Sequence, residues 1–258
     1  NMETIKKASV VEIGRVKTEI LKFRGKDQLL DCVCLDLSKG YIITTDKKRL
    51  YVKKINVKGE MKDIVLIPSY DFKRLGSRFI VANGNYSTEF RTSYEFLTQK
   101  GESFEIMNHR TINFPNYRAI DFCTSEKLHY SFSENAKKDI IKFLKSYNRS
   151  RIELRIDRGN NYIRLFDYDE KEKARIKINE TSMYTIDISL EKKMFIDALS
   201  TSSPAISICI DKSYKYIKAV LFKTRNNANV MVTCSPTTDY GHSLVNIERK
   251  DLMHYTEF

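Results

Sequence analysis

Chemistry in a protein needs nucleophiles, acids and bases, or metal ligands at workable spacing, and this chain offers few of them. Its four histidines, His109, His129, His242 and His254, are scattered without metal-ligand intervals. Five cysteines, Cys32, Cys34, Cys123, Cys209 and Cys234, include no C-x-x-C pair, so they spell neither a zinc site nor a redox couple. Their odd number fits a reducing, intracellular compartment. Asp167 and Asp169 form an acidic pair in a charged loop, where solvation is the default. No phosphate-cradling glycine loop, nucleophile elbow, zinc-protease helix or calcium loop is present. The expectation is a non-catalytic chain that needs no cofactor or metal; an enzyme with a cryptic, spatially assembled site is the rival class.

What the chain does carry is cations at helical spacing. They fall in four groups: Arg15, Lys17, Lys22 and Arg24; Lys73 and Arg74; Lys137, Lys138, Lys142 and Lys145 with Arg149 just beyond; and Lys192 with Lys193. Point charges on long flexible stems reach backbone phosphates but present no directional donor pattern, so such faces hold nucleic acid without reading sequence and weaken with salt. Lys and Arg outnumber Asp and Glu by 45 to 33, giving a net charge of +12 and pointing to a polyanionic partner. A solvated helix face and an AT-rich coding bias would also enrich lysine, and that reading stays open.

The chain around these cations reads mostly as strands. Ile152, Leu154 and Ile156 alternate with Arg151, Glu153, Arg155 and Asp157, then Arg158–Asn161 turns the chain into a second strand. Ile206, Ile208 and Ile210 repeat the pattern before a return strand ending at Phe222. Asn83-Gly84-Asn85 reads as a hairpin turn. Four segments have helical spacing: Arg15–Lys26, Ser69–Leu75, Ser133–Tyr147 with Ser133 as cap, and Leu190–Leu199. Helices and strands recur in the same order in both halves, which implies two copies of one supersecondary unit.

A chain of 258 residues has room for two ordinary domains. The boundary is placed near Phe114, giving domains 1–113 and 114–258, with a C-terminal extension from about 238. No segment approaches the length of a signal peptide core or a membrane span, so a soluble, cytoplasmic protein is expected.

Two motifs then suggest a family. Thr45-Asp46-Lys47-Lys48-Arg49-Leu50 follows the strand Gly40–Thr44, and Phe114-Pro115-Asn116-Tyr117-Arg118 opens the second half. Together they resemble the T-D-x-H-R-L and F-P-D-Y-R signatures of the bacterial DNA polymerase III beta sliding clamp, in the same order and at similar separation. Lys47 stands where the family has Gly, and Lys48 where it has His. The resemblance covers the family's middle and last domains.

The resemblance implies an α+β DNA-clamp fold of two tandem helix-and-antiparallel-sheet domains, with helices on the inner wall of a ring. It implies a processivity factor that encircles duplex DNA and tethers DNA polymerase and other replication proteins. Two-domain chains would close a six-domain ring as trimers, with a dimer as second reading. Client peptides would dock in a pocket using Thr45, Lys47, Lys48, Arg49, Leu50, Pro115, Tyr117, Ile120 and Cys234; alternatively Pro115 and Tyr117 only shape a linker. The tail from Gly241 is expected either to cover that pocket or to extend an edge strand. The runner-up function is a clamp-fold DNA-binding or transcription accessory factor that forms no closed ring.

Overall fold

The structure, a computed structural model, describes residues 6–110, 114–115, 126–167, 169–210 and 217–236. The chain divides into two compact units, one formed by Asn1–Ile120 with Asn226–Asn229 and the other by Asp121–Arg225 with Val230–Phe258. The boundary expected near Phe114 falls where only Phe114 and Pro115 are described, and the extension from about 238 lies outside the described residues.

In the first unit the elements run β1 (Ala8–Glu12), α1 (Lys17–Ile20), β2 (Cys32–Asp36), β3 (Tyr41–Thr45), β4 (Arg49–Lys54), β5 (Asn56–Gly59), β6 (Ile64–Pro68), α2 (Ser69–Phe72), β7 (Arg78–Ser87), β8 (Arg91–Thr98) and β9 (Ser103–His109). In the second they run β10 (Glu126–Ser131), α3 (Glu134–Ser146), β11 (Arg151–Ile156), β12 (Tyr162–Phe166), β13 (Glu172–Lys177), β14 (Ile186–Glu191), α4 (Lys192–Thr201), β15 (Ala205–Ile210), β16 (Ile217–Lys223), β17 (Asn229–Thr233) and β18 (Ser235–Pro236).

Strand order repeats between the units. The first holds β5-β1-β7-β8-β9 and β4-β3-β2-β6; the second holds β10-β15-β16-β17 and β13-β12-β11-β14-β18. In both, a strand–helix–three-strand module occurs twice, and each module's first strand pairs into the other module's sheet. Thus β1 joins β7 and β6 joins β2, as β10 joins β15 and β14 joins β11, all antiparallel. The exchange locks the two modules together, because neither sheet is complete without a strand from the other.

Burial alternates along β1, β6 and β11 as the pleat demands, while β2 is buried throughout. Val33, Leu35, Ile42, Phe72, Phe79 and Phe96 are buried in the first unit, and Ile140, Leu144, Leu154, Ile188, Leu199 and Val220 in the second. Each such side chain contributes about 1.5–3 kcal/mol through burial.

Three sequence expectations need correction. The helix expected over Arg15–Lys26 is only Lys17–Ile20 followed by a 3₁₀ turn, Leu21–Phe23. Val16 supplies no side-chain cap, and Arg24 is already extended because the Gly25 amide bonds the carbonyls of Leu30 and Thr45. The Leu190–Leu199 helix begins two residues late, since Leu190 and Glu191 complete β14. Asn83-Gly84-Asn85 is no turn: β7 passes straight through it and reverses at Thr88–Phe90, where Thr88 Oγ1 accepts from the Phe90 and Arg91 amides. Gly84 serves a bulge instead, for a Cβ there would lie 2.0 Å from Ser93 Oγ, the atom that accepts the Tyr86 amide.

Candidate nucleic-acid and peptide interface

The helix α3 forms where the sequence placed it, capped by Ser133 Oγ accepting the Ala136 amide at 3.0 Å. Ile140 and Leu144 are buried, while Lys138, Lys142 and Lys145, at intervals of four and three, share one exposed stripe. None of these three has an ion-pair partner among the described residues. Arg149 is exposed just past the helix, and Lys193 is exposed on α4.

Lys137 does not belong to this stripe. It is 5 % exposed, its Nζ donates to the Ser202 carbonyl at 2.6 Å and lies 3.5 Å from Glu134. Its spacing to Ile140 and Leu144 puts it on the apolar face, where its stem is buried and its charge ties α3 to the end of α4. That spacing is the signal the sequence offers. Lys192 is half-buried and donates to the Tyr147 carbonyl at 2.5 Å, which closes the C-terminus of α3. Tyr147 in turn donates its hydroxyl to the buried Asp167 at 2.6 Å, so this half of the acidic pair has a structural task.

In the first unit, Arg15, Lys22 and Lys73 are exposed and Lys17 is half-exposed. Arg24 and Arg74 are committed elsewhere. Arg24 donates to Asp31 Oδ1 and to the Leu21 carbonyl, both at 2.6 Å, and Ser69 together with Arg24 holds the Asp31 carboxyl below its ordinary range. Arg74 bonds Glu102 at 2.5 and 2.8 Å and Asp71 at 3.2 Å, and lies 4.0 Å from the centroid of the Phe104 ring.

The segment Thr45–Leu50 is a self-satisfied turn. Thr45 Oγ1 donates to the Arg49 carbonyl at 2.6 Å and accepts the Lys47 amide, while Asp46 Oδ1 accepts the amides of Lys48 and Arg49. Arg49 is 8 % exposed, donates to Asp46 and to the Lys22 carbonyl, and stacks over Phe23. Leu50 and Thr45 are buried too, so Lys47 and Lys48 are the exposed members. Lys47 has φ +74°, a left-handed conformation that glycine adopts without cost. Pro115 is exposed; Tyr117 and Ile120 lie outside the described residues. Cys234 is half-buried, and burial pushes its thiol up to about 12, with Cys209 raising it further and Arg151 opposing. Such a thiol is no nucleophile near neutrality.

One feature of the second unit escapes a reading of the sequence. Arg155, Arg164 and Arg175 face one another across β11, β12 and β13 in a single row that continues to Asp187 on β14. Like charges in register should repel, but acids interleave with them. Arg155 bonds Glu153 at 3.2 Å and pairs with Asp187 at 3.1 Å; Arg164 bonds Asp157 at 2.5 Å and Glu172 at 3.0 Å; Arg175 bonds Glu172 at 2.7 and 3.1 Å. Arg155 and Arg164 also cover the Phe166 ring at 4.4 and 4.7 Å.

Among the described residues no group of three or more His, Cys, Asp or Glu could hold a metal ion, and no helix is long and apolar enough to cross a membrane.

No family model and no curated protein sequence matches the chain. Solved structures do. The Helicobacter pylori beta clamp bound to a DNA ligase peptide is similar over 88 % of this chain and 65 % of its own, at 13 % identity and a TM-score of 0.60. The DNA polymerase sliding clamp of Caulobacter crescentus is similar over 91 % of this chain and 67 % of its own, at 10 % identity and a TM-score of 0.63. The DNA polymerase III subunit beta of Pseudomonas aeruginosa is similar over 88 % and 66 %, at 12 % identity and a TM-score of 0.63. The chain thus spans about two thirds of the length of these clamps, and at such identities the likeness concerns the fold. Exchanged strands, two repeated units and antiparallel sheets with few helices are accounted for together: the chain has the fold of the bacterial DNA polymerase III beta sliding clamps.

Proposed function

We propose that the chain is a sliding clamp, a non-catalytic ring component that encircles duplex DNA in the cytoplasm and tethers a polymerase and other replication proteins. The observation that carries this reading is the stripe of Lys138, Lys142 and Lys145, three exposed ammonium groups with no carboxylate partner among the described residues. Ammonium groups on flexible stems exchange one phosphate for the next with little loss, which permits sliding. Arg15, Lys17, Lys22, Lys73, Arg149 and Lys193 extend the same chemistry.

Ring assembly is supported by the sheet edges. Among the described residues β9 and β13 each end a sheet, so each leaves one side of its ladder for a strand of another copy. Exposed Glu105 on β9 and exposed Lys173 and Lys177 on β13 give the two edges opposite sign, which suits head-to-tail contact and a closed ring, a trimer before a dimer. Lys47 and Lys48 are the turn residues exposed to a client peptide.

Light scattering and retention on circular DNA test the reading. The chain should be oligomeric, stay on nicked circular DNA and run off the same DNA once linearised. Charge reversal at Lys138, Lys142 and Lys145 should abolish retention without unfolding the chain. A monomer that binds circular and linear DNA alike would replace the ring with an open DNA-binding accessory factor.

A further inference from the structure

The first unit carries a cluster of cations of its own. An open cleft of about 450 Å³ forms where β1 gives way to α1 and where the segment after α2 enters β7. Its buried lining is apolar, Ile13 and Ile55, and the Ile13 amide bonds the Ser77 carbonyl at 2.8 Å to hold the two junctions together. Around this lining stand Lys53 and Lys54 from the end of β4, Arg78 from β7, Glu12 from β1, Asn56 from β5 and Gln99.

Three cations and one carboxylate therefore line the cleft, and that carboxylate is engaged. Glu12 lies 3.5 Å from Arg78 and accepts from Asn56 Nδ2 at 3.4 Å. Lys53 and Lys54 have no ion-pair partner among the described residues. Lys53 Nζ lies beside Gly14, whose φ is +72° and whose missing Cβ would sit 3.3 Å from it. Two uncompensated ammonium groups, a guanidinium on the rim and neutral amide donors from Asn56 and Gln99 together make a surface for tetrahedral oxyanions.

We propose that this cleft is a phosphate subsite for a nucleic-acid strand. The proposal rests on the DNA-binding reading in one respect: Gly14 leads directly into Arg15, exposed, and Lys17, half-exposed, so a backbone followed by these cations meets the mouth of the cleft next. The cleft adds a fixed anchoring point, with hydrogen-bond donors, to a track otherwise made of interchangeable lysines.

Rates of lysine acetylation, read peptide by peptide by mass spectrometry on the full chain, test it. Inorganic phosphate should slow acetylation of Lys53 and Lys54 several-fold relative to chloride at matched ionic strength. In Glu12→Gln the same protection should be reached at several-fold lower phosphate, a gain that a misfolded variant cannot imitate. A DNA duplex should protect Lys53 and Lys54 along with Lys138, Lys142 and Lys145. Phosphate that protects no better than chloride, or an unaltered phosphate response in Glu12→Gln, overturns the subsite whatever happens at α3. A duplex that protects α3 but leaves Lys53 and Lys54 at their free rates overturns the strand assignment while the clamp reading stands. A duplex that protects neither set brings down both.

Discussion

On the second unit, the exposed cations of α3 are lysines with no carboxylate partner among the described residues, whereas the row of Arg155, Arg164 and Arg175 across β11, β12 and β13 is held by acids. The two faces have similar positive charge and opposite uses. A guanidinium is planar and forks to two acids at once, and Arg164 does so between Asp157 and Glu172 while stacking on Phe166. The charge is consumed inside the protein, and what it yields is order in the sheet. An ammonium group is a hydrated point charge, and left unpaired it remains available to any phosphate that passes. Net charge of +12 therefore overstates the cations free for DNA, and the partners of each side chain decide which ones count.

The largest effect should come from attacking the lysine side of this contrast. Replacing Lys138, Lys142 and Lys145 together by Glu should weaken duplex binding by about 100-fold or more at moderate salt, and flatten the slope of log K against log salt by roughly 0.9 for each phosphate no longer neutralised. Fluorescence anisotropy across a salt series reads both, and the melting temperature should stay close to that of the parent. If the triple variant binds as before, the contrast has no functional meaning.

Next in size are losses of stability that leave DNA binding alone. Arg164→Met removes the bonds to Asp157 and Glu172 and should cost about 1–3 kcal/mol in urea unfolding with no change in salt slope. Lys137→Met keeps the buried stem but abandons the Ser202 carbonyl, at a cost of about 1–3 kcal/mol. A fall in the salt slope of Lys137→Met would return that residue to the phosphate track.

Sequence reasoning reaches one of these faces and not the other, for reasons of range. The cap, the apolar spacing and the lysine spacing of α3 all lie within 15 residues, so Ser133, Ile140 and Lys142 can be read directly. Treating lysine as solvent-facing by type misplaces Lys137, although its intervals to Ile140 and Leu144 put it on the buried stripe. The arginine row depends on the register of four strands drawn from residues 151 to 191, and no local pattern encodes that. Repetition of the two units is legible in the order of elements, but the exchange of first strands between modules is not. The Asn83-Gly84 signal is real yet ambiguous, since a glycine between strand-like residues serves a bulge as readily as a turn. In the motif Thr45–Leu50 the spacing is visible in the sequence, but the closed hydrogen bonding that buries Arg49 emerges only in the structure.

Acid should separate the two faces without any mutation. Glu172 is held below the ordinary carboxylate range, chiefly by the bond from Arg175, so its folded pKa lies under its unfolded one. The stability it contributes is complete above the unfolded value, about 4.3, and is lost as pH falls through the folded value. Glu153 acts in the opposite sense: burial raises its pKa more than Arg155 lowers it, so protonation there favours the fold as pH drops. The net acid loss on this face should be modest. Glu172→Gln should remove the acid-sensitive part, leaving a shallower fall in melting temperature below about pH 4.5. An unchanged pH profile in that variant would show that the arginine row is not held by Glu172. The lysine stripe has no carboxylate partner to lose, so duplex binding by α3 should not weaken over the same interval.

The smallest effect asks whether exposure alone makes a lysine functional. Lys47, like Lys142, is exposed but sits in the Thr45–Leu50 turn with φ +74°, a conformation that costs an L-residue about 1 kcal/mol. Glycine relieves that cost and loses part of the gain to the greater freedom of its unfolded chain, so Lys47→Gly should stabilise the protein by less than about 1 kcal/mol. If phosphates are met by a stripe on a helix rather than by any exposed ammonium group, the salt slope for duplex binding should not move. A slope reduced by roughly 0.9 would mean that Lys47 touches the backbone as well. The distinction between free lysines and bound arginines would then have to be drawn by charge availability over the whole surface, and no longer by the face on which each residue lies.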